Sequence, residues 1–127
     1  MSKHSRQSVL VLEDDESLVA LFVKVLQRAG YDVRSAGTVP LANSIFASRD
    51  FDVVVCDLSF AGDKNILDFV SSLRARQPGI LVLIVTGYTP DDLASNAQSM
   101  SLEVMEKPFA PLELVRRVSS LLASRAA

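Results

Sequence analysis

Short unbroken apolar runs punctuate the chain at 9–12, 53–56 and 80–85, each rich in Val, Ile and Leu and bounded by charged or turn-forming residues. Runs of that length are strand-sized, and a strand that is apolar on both faces belongs in a sheet covered on both sides. Between them apolar residues recur at the spacing of a helix with one buried face. The alternation predicts five strand-helix units on a parallel sheet, an α/β architecture. After the strand at 9–12, Leu18, Leu21, Phe22, Val25, Leu26 and Ala29 line one helix face, and Gly30 stops that helix. A short strand at 32–36 leads into a helix at 39–48. The strand at 52–56, with Asp57 as its last residue, precedes a helix whose inner face is Ile66, Phe69, Val70 and Leu73 and whose stop is Gln77-Pro78-Gly79. After the strand at 80–85 the helical pattern over 90–100 is weak, with Leu93, Ala94 and Ala97 amid polar residues, so this helix is expected to pack least firmly. A strand at 102–105 follows. The last helix starts after Pro111, with Leu112, Val115, Val118 and Leu122 inward and Glu113, Arg116 and Arg117 outward on a solvated face.

Composition narrows the class. With 127 residues, 49% of them hydrophobic, the chain has the size of one domain able to bury its own core; we place it at 9–124, behind a polar tail at 1–8. The lone cysteine, Cys56, excludes an intramolecular disulfide and reads as a buried, inert strand thiol. His4 sits in the tail with no partner at metal-ligand spacing. Thirteen Lys+Arg against 15 Asp+Glu give a net charge of -2 with no basic stripe, which argues for protein partners and against nucleic acid. No apolar run approaches the roughly 20 residues of a membrane span, and the four apolar residues before Glu13 fall short of a signal peptide's core of roughly 7. The expectation is a cytoplasmic protein with no membrane association.

Candidate chemistry gathers at the predicted strand ends. The first strand is followed by Glu13-Asp14-Asp15-Glu16, four carboxylates without a glycine. Such a loop repels phosphate but offers oxygen ligands to a hard divalent cation. Helix capping by Asp14 or Asp15, with Glu16 in the first turn, accounts for only part of it. In an open parallel sheet of order 2-1-3-4-5, right-handed crossovers set strands one and three side by side, so Asp57 faces Glu13 and Asp14. Three carboxylates within a few ångströms need a neutralising cation or a shared proton. Mg²⁺, which keeps several waters, suits so few protein ligands. Thr86, with the small Gly87 next to it, follows the fourth strand, and Lys107 follows the fifth.

Acids after strands one and three, Thr after four and Lys after five make an ordered set, and at this point the chain resembles the receiver domain of two-component response regulators. The resemblance covers about 8–124 and rests on VLVLEDDESL, VVVCDL, IVTGY and EKPF. Their separations are 43 residues from Asp14 to Asp57, 29 on to Thr86 and 21 on to Lys107. It implies a doubly wound, flavodoxin-like (βα)5 fold in which Asp57 accepts a phosphoryl group from a phosphohistidine of a sensor histidine kinase or histidine phosphotransfer protein. By the same resemblance Asp14 ligates Mg²⁺ directly and Glu13 directly or through water. The backbone carbonyl of Ser59 and the carboxylate of Asp57 complete the protein ligands. Thr86 bonds one phosphoryl oxygen, Lys107 pairs with another, and the Lys107-Pro108 bond is cis. Such a domain is not an enzyme acting on a separate substrate; it catalyses its own phosphorylation and dephosphorylation and signals by protein contact, with a phosphorylation-dependent dimer as one form of output. If the chain is whole, it carries no effector domain and its unknown downstream target is contacted by the receiver itself.

The sequence also departs from the family pattern. The switch position, usually Tyr or Phe, is Val104; Ala61 and Asn65 replace a Pro and a Gly in the loop after the acceptor, and Ser99-Met100-Ser101 replaces a Gly-Ala. Ser59 and Tyr88 stand where the family tunes dephosphorylation, and neither activates water well, so a slowly decaying phosphoaspartate is expected. These departures favour, as the alternative, a phosphorylation-independent receiver-like interaction module. A haloacid-dehalogenase-type phosphatase needs a second acid two residues after the nucleophile, where this chain has Ser59, and a flavodoxin-like electron carrier needs a glycine-rich phosphate loop where this chain has Glu13-Asp14-Asp15-Glu16.

Overall fold

The structure, a computed structural model, describes residues 6–58, 60 and 66–126. Five parallel strands, β1 Ser8–Leu12, β2 Asp32–Ala36, β3 Val53–Asp57, β4 Leu81–Thr86 and β5 Leu102–Glu106, form one sheet of order β2-β1-β3-β4-β5. The connecting helices are α1 Glu16–Arg28, α2 Val39–Ser48, α3 Ile66–Arg76, α4 Asp91–Ala97 and α5 Pro111–Ala126. This is the expected flavodoxin-like receiver fold.

The apolar strand runs exist because both faces of the sheet are covered. Val9, Val11, Val53, Val55, Leu83 and Val85 pack with Phe22 and Leu26 of α1 and Leu114, Val118 and Leu122 of α5. The alternate residues Leu10, Leu12, Val54, Cys56, Val82 and Ile84 pack with Phe46 of α2, Phe69, Val70 and Leu73 of α3 and Leu93 of α4. The period-two alternation of a strand therefore divides each run between two cores.

Helix ends follow local chemistry. Asp15 caps α1, its carboxylate accepting from the amides of Ser17 at 2.9 Å and Leu18 at 3.2 Å. At the other end Gly30 takes φ 101°, and the amides of Gly30 and Tyr31 bond the carbonyls of Gln27 and Leu26 in a Schellman arrangement. The weak pattern before β5 yields only the seven-residue α4, which buries Leu93 and has Pro90 at its cap position, with no side-chain cap.

Several expected positions shift. β3 ends at Asp57 as expected, but the ladders of β4 and β5 reach Thr86 and Glu106, while Ile80 belongs to the preceding turn, its amide bonded to Gln77 O at 3.1 Å. Leu21 and Leu112, expected inward, are 38% and 58% exposed, and Leu114 is the fully buried residue in the first turn of α5. The phase of α5 is set by the seam with α1, which selects the Leu114, Val118, Leu122 stripe. Nor is Arg117 part of a solvated face: its guanidinium bonds Glu103 at 2.7 Å and Glu113 at 3.2 Å.

Candidate functional site

Parallel register carries the key residues to one end of the sheet. Leu12 pairs with Cys56, so Glu13 comes level with Asp57; Asp57 pairs with Val85, so Thr86 is the next residue along; Thr86 pairs with Glu106, so Lys107 lies one step beyond. Glu13, Asp14, Asp15, Leu18, Asp57, Leu58, Thr86, Gly87 and Lys107 line an open cleft of about 400 Å³, at the strand carboxyl ends where open α/β sheets bind ligands.

Asp57 is buried, and its Oδ1 lies 3.0 Å from Lys107 Nζ. A carboxylate with this little solvent needs a partner charge, and the lysine supplies one from the cleft rim. Lys107 itself is held at two points: its amide donates to Thr86 O at 2.7 Å, and the following Lys107-Pro108 bond is cis, with Phe109 stacked on Phe22 of α1 at 6.0 Å between ring centroids.

Glu13 is also buried. Its Oε2 accepts from the Asp15 amide at 3.1 Å, and its buried Oε1 has no hydrogen-bond partner among the described residues. Burial pushes the Glu13 carboxyl above its ordinary value; the Asp15 amide opposes the rise, and the Asp57 carboxylate adds to it. A buried carboxylate with an oxygen unpartnered among the described residues, on a residue that lines the cleft together with Asp14 and Asp57, is the donor chemistry a hard divalent cation takes. The expected close triad is looser than sequence suggests: among the described residues no three acidic, His or Cys side chains converge tightly enough to hold an ion. The near oxygen of Asp57 is engaged by Lys107, and Asp14 stands exposed at the rim. The residues present thus fit a cation held by few protein oxygens and completed by water. Ser59 lies outside the described residues, as do Ala61 and Asn65.

Thr86 is buried on the cleft wall, but its hydroxyl is committed elsewhere, donating to Tyr88 O at 2.6 Å and accepting from Tyr88 N at 3.2 Å. Strand alternation explains this. Asp57 shares the α1/α5 side with Val55, whereas Thr86 shares the α2/α3/α4 side with Ile84. The Tyr88 side chain is 71% exposed. Val104 is half-buried against the α2/α3/α4 core. Cys56 is fully buried, and burial together with the nearby Asp57 and Glu13 carboxylates pushes its thiol far up, so it is inert. One pairing in this region went unseen in the sequence: the Thr89 hydroxyl donates to Glu106 Oε2 at 2.6 Å, tying the β4–α4 connection to the end of β5.

A doubly wound parallel sheet with acids after β1 and β3, a Thr after β4 and a Lys after β5 defines a receiver-type domain. The sequence matches the response regulator receiver domain over residues 9–119, and the chain belongs to this family of two-component systems. It is 33% identical over 118 residues to the DNA-binding response regulator MtrA of Mycobacterium tuberculosis, a match covering 92% of this chain and 51% of MtrA. A CheY-like response regulator receiver domain protein from Methanospirillum hungatei JF-1 shares the fold with a TM-score of 0.86 at 20% identity, covering 96% of this chain and 98% of that one. A response regulator from Burkholderia pseudomallei, solved with a phosphorylated aspartic acid, a calcium ion and citrate, has a TM-score of 0.75 at 25% identity over 94% of this chain and 73% of that one. The chain spans about a quarter to a half of the length of the curated relatives it matches. No helix among the described residues is long and apolar enough to cross a membrane.

Proposed function

We propose that Asp57 accepts a phosphoryl group from a phosphohistidine of a sensor histidine kinase or histidine phosphotransfer protein in a Mg²⁺-dependent reaction, and that the phosphorylated domain signals through protein contact in the cytoplasm. The observation that carries this reading is the buried Asp57 carboxylate at the end of β3, held 3.0 Å from the Lys107 ammonium on an open polar cleft. An Asp57 oxygen forms the new bond to phosphorus while the phosphorus–nitrogen bond to the donor imidazole breaks, the imidazole keeping the electron pair and taking up a proton. Phosphoryl transfer asks mainly for positioning and charge neutralisation. Lys107 supplies a fixed positive charge beside the acceptor, and the Thr86 hydroxyl supplies a donor once freed from Tyr88. Glu13, Asp14 and Asp57, with the Ser59 carbonyl, would hold the cation, which when bound offsets the negative charge of the phosphoryl oxygens. The phosphorylated aspartic acid and calcium ion of the Burkholderia pseudomallei protein support this assignment.

The net charge of -2 favours protein partners for the domain itself. The test is addition of beryllofluoride with Mg²⁺, a mimic of the phosphoaspartate, followed by amide chemical shifts. Shifts across the cleft are expected in the unaltered protein and none in Asp57→Asn; a response that persists in Asp57→Asn overturns the assignment.

A further inference from the structure

We propose that the Thr89–Glu106 hydrogen bond is a latch that keeps the β4–α4 connection in a resting form, so that these two residues set how readily Asp57 is phosphorylated; this rests on the acceptor role of Asp57 proposed above. The Thr86 hydroxyl both donates to and accepts from the backbone of Tyr88. It cannot turn toward a group on Asp57 without giving up both bonds, and residues 87–89 must then rearrange. Among the described residues little else restrains them. Gly87 and Tyr88 are exposed, a side chain at Gly87 would meet no atom within 4 Å, and α4 starts without a side-chain cap. The 2.6 Å bond from Thr89 to Glu106 is what fastens the far end of this segment to β5. Glu106 is paired in the sheet with Thr86 and precedes Lys107, so the latch closes a ring through the two residues that attend the acceptor.

At the switch position, where the family usually carries Tyr or Phe, this chain has the half-buried Val104. The latch supplies a restraint of a different kind, a polar bond that opens as the loop moves. A ligand that needs the freed Thr86 hydroxyl binds in proportion to the fraction of molecules with the loop released. Removing one such hydrogen bond should raise that fraction, and the apparent beryllofluoride affinity with it, by about three- to ten-fold.

The decisive variant is Thr89→Val, which keeps the shape and charge of a half-buried position and deletes only the donor. Thr89→Val should bind beryllofluoride with Mg²⁺ three- to ten-fold more tightly than the unaltered protein, Thr89→Ser should restore the original affinity, and the Tyr88 amide should exchange with solvent faster in Thr89→Val alone. Glu106→Gln also changes the field near Asp57, so the cycle matters: with a latch, Thr89→Val adds nothing in the Glu106→Ala background, and adds nothing where Thr86→Ala has removed the hydroxyl. Unchanged affinity in Thr89→Val, or a gain that survives in Glu106→Ala or Thr86→Ala, overturns the latch while leaving the acceptor role intact. No Asp57-dependent binding in the unaltered protein overturns the acceptor role and the latch with it.

Discussion

Lys107 touches the site at the level of single atoms, its ammonium 3.0 Å from Asp57 Oδ1. It is the fixed positive charge that a phosphoryl oxygen would find on arrival, already positioned by the bond from its own amide to Thr86 O. Removing one preorganised charge-stabilising donor typically costs about 100-fold in rate or more. Lys107→Ala is therefore expected to slow phosphorylation of Asp57 by a small phosphodonor by about 100-fold, measured as the first-order rate at saturating Mg²⁺; a rate within a factor of three of the original removes Lys107 from the chemistry. Ser101 presents a different single-residue case. Among the described residues it is the non-glycine residue with positive φ, 55°, in the turn before β5, where an L side chain costs roughly 1 kcal/mol. Its carbonyl and that of Met100 are held by the Arg74 guanidinium of α3, so the strained backbone is clamped from outside. Ser101→Gly relieves the strain and is expected to stabilise the fold by roughly 0.5–1 kcal/mol, seen as a higher urea midpoint at unchanged slope.

Among elements, the end of the sheet remote from the cleft is fastened by Asp52, which precedes β3. Its carboxylate accepts from the Ser8 amide of β1 at 2.8 Å and from Arg125 near the end of α5 at 2.8 Å. Partial burial alone would raise this carboxyl; the bonds from Arg125 and Ser8 outweigh it and hold the value below the ordinary one of 3.8. A carboxyl lowered on folding contributes stability that is present above its unfolded value and lost as pH falls through its folded value. The advantage of the unaltered protein over Asp52→Asn, no more than about 1 kcal/mol for so exposed a pair, should thus be full at pH 6 and vanish at low pH. Urea midpoints of the two proteins across pH 2.5–6 check this, and a gap that stays constant with pH rejects it. The elements themselves were largely legible in the sequence, because strands buried on both faces leave unbroken apolar runs such as Val53-Val54-Val55. What the pattern did not carry was helix phase. Leu112, Val115, Val118 and Leu122 satisfy a helical period as well as Leu114, Val118 and Leu122 do, and only packing on α1 decides between them. Similarly, the positions of Glu13, Asp57, Thr86 and Lys107 were readable from strand order and register. The commitment of the Thr86 hydroxyl to Tyr88 and the pairing of Thr89 with Glu106 depend on side-chain rotamers in a loop, for which a sequence has no period to read.

Over the whole molecule, the two ends of the sheet are built to opposite rules. At the Asp52 end the charges are paired, whereas at the cleft end Asp57 is paired with Lys107 but Glu13 is buried with one oxygen unpartnered among the described residues. Natural cores seldom tolerate such a group without a function, since its desolvation works against folding. A cation bound there would return that cost, and anything that binds only the folded state stabilises it by mass action, by about 2.7 kcal/mol at a hundred times the dissociation constant. For a domain of 127 residues this corresponds to a rise in Tm on the order of 10 °C. We expect Mg²⁺ to raise the Tm of the unaltered protein by this order. Glu13→Gln should melt higher than the unaltered protein in EDTA, because the buried charge is gone, and should lose most of the increment from Mg²⁺. Calorimetric scans of both proteins in EDTA and in saturating Mg²⁺ separate these outcomes. An increment of equal size in Glu13→Gln assigns the cation to another place on the molecule, and a lower Tm for Glu13→Gln in EDTA means the Oε1 atom is not the burden on folding that its burial implies.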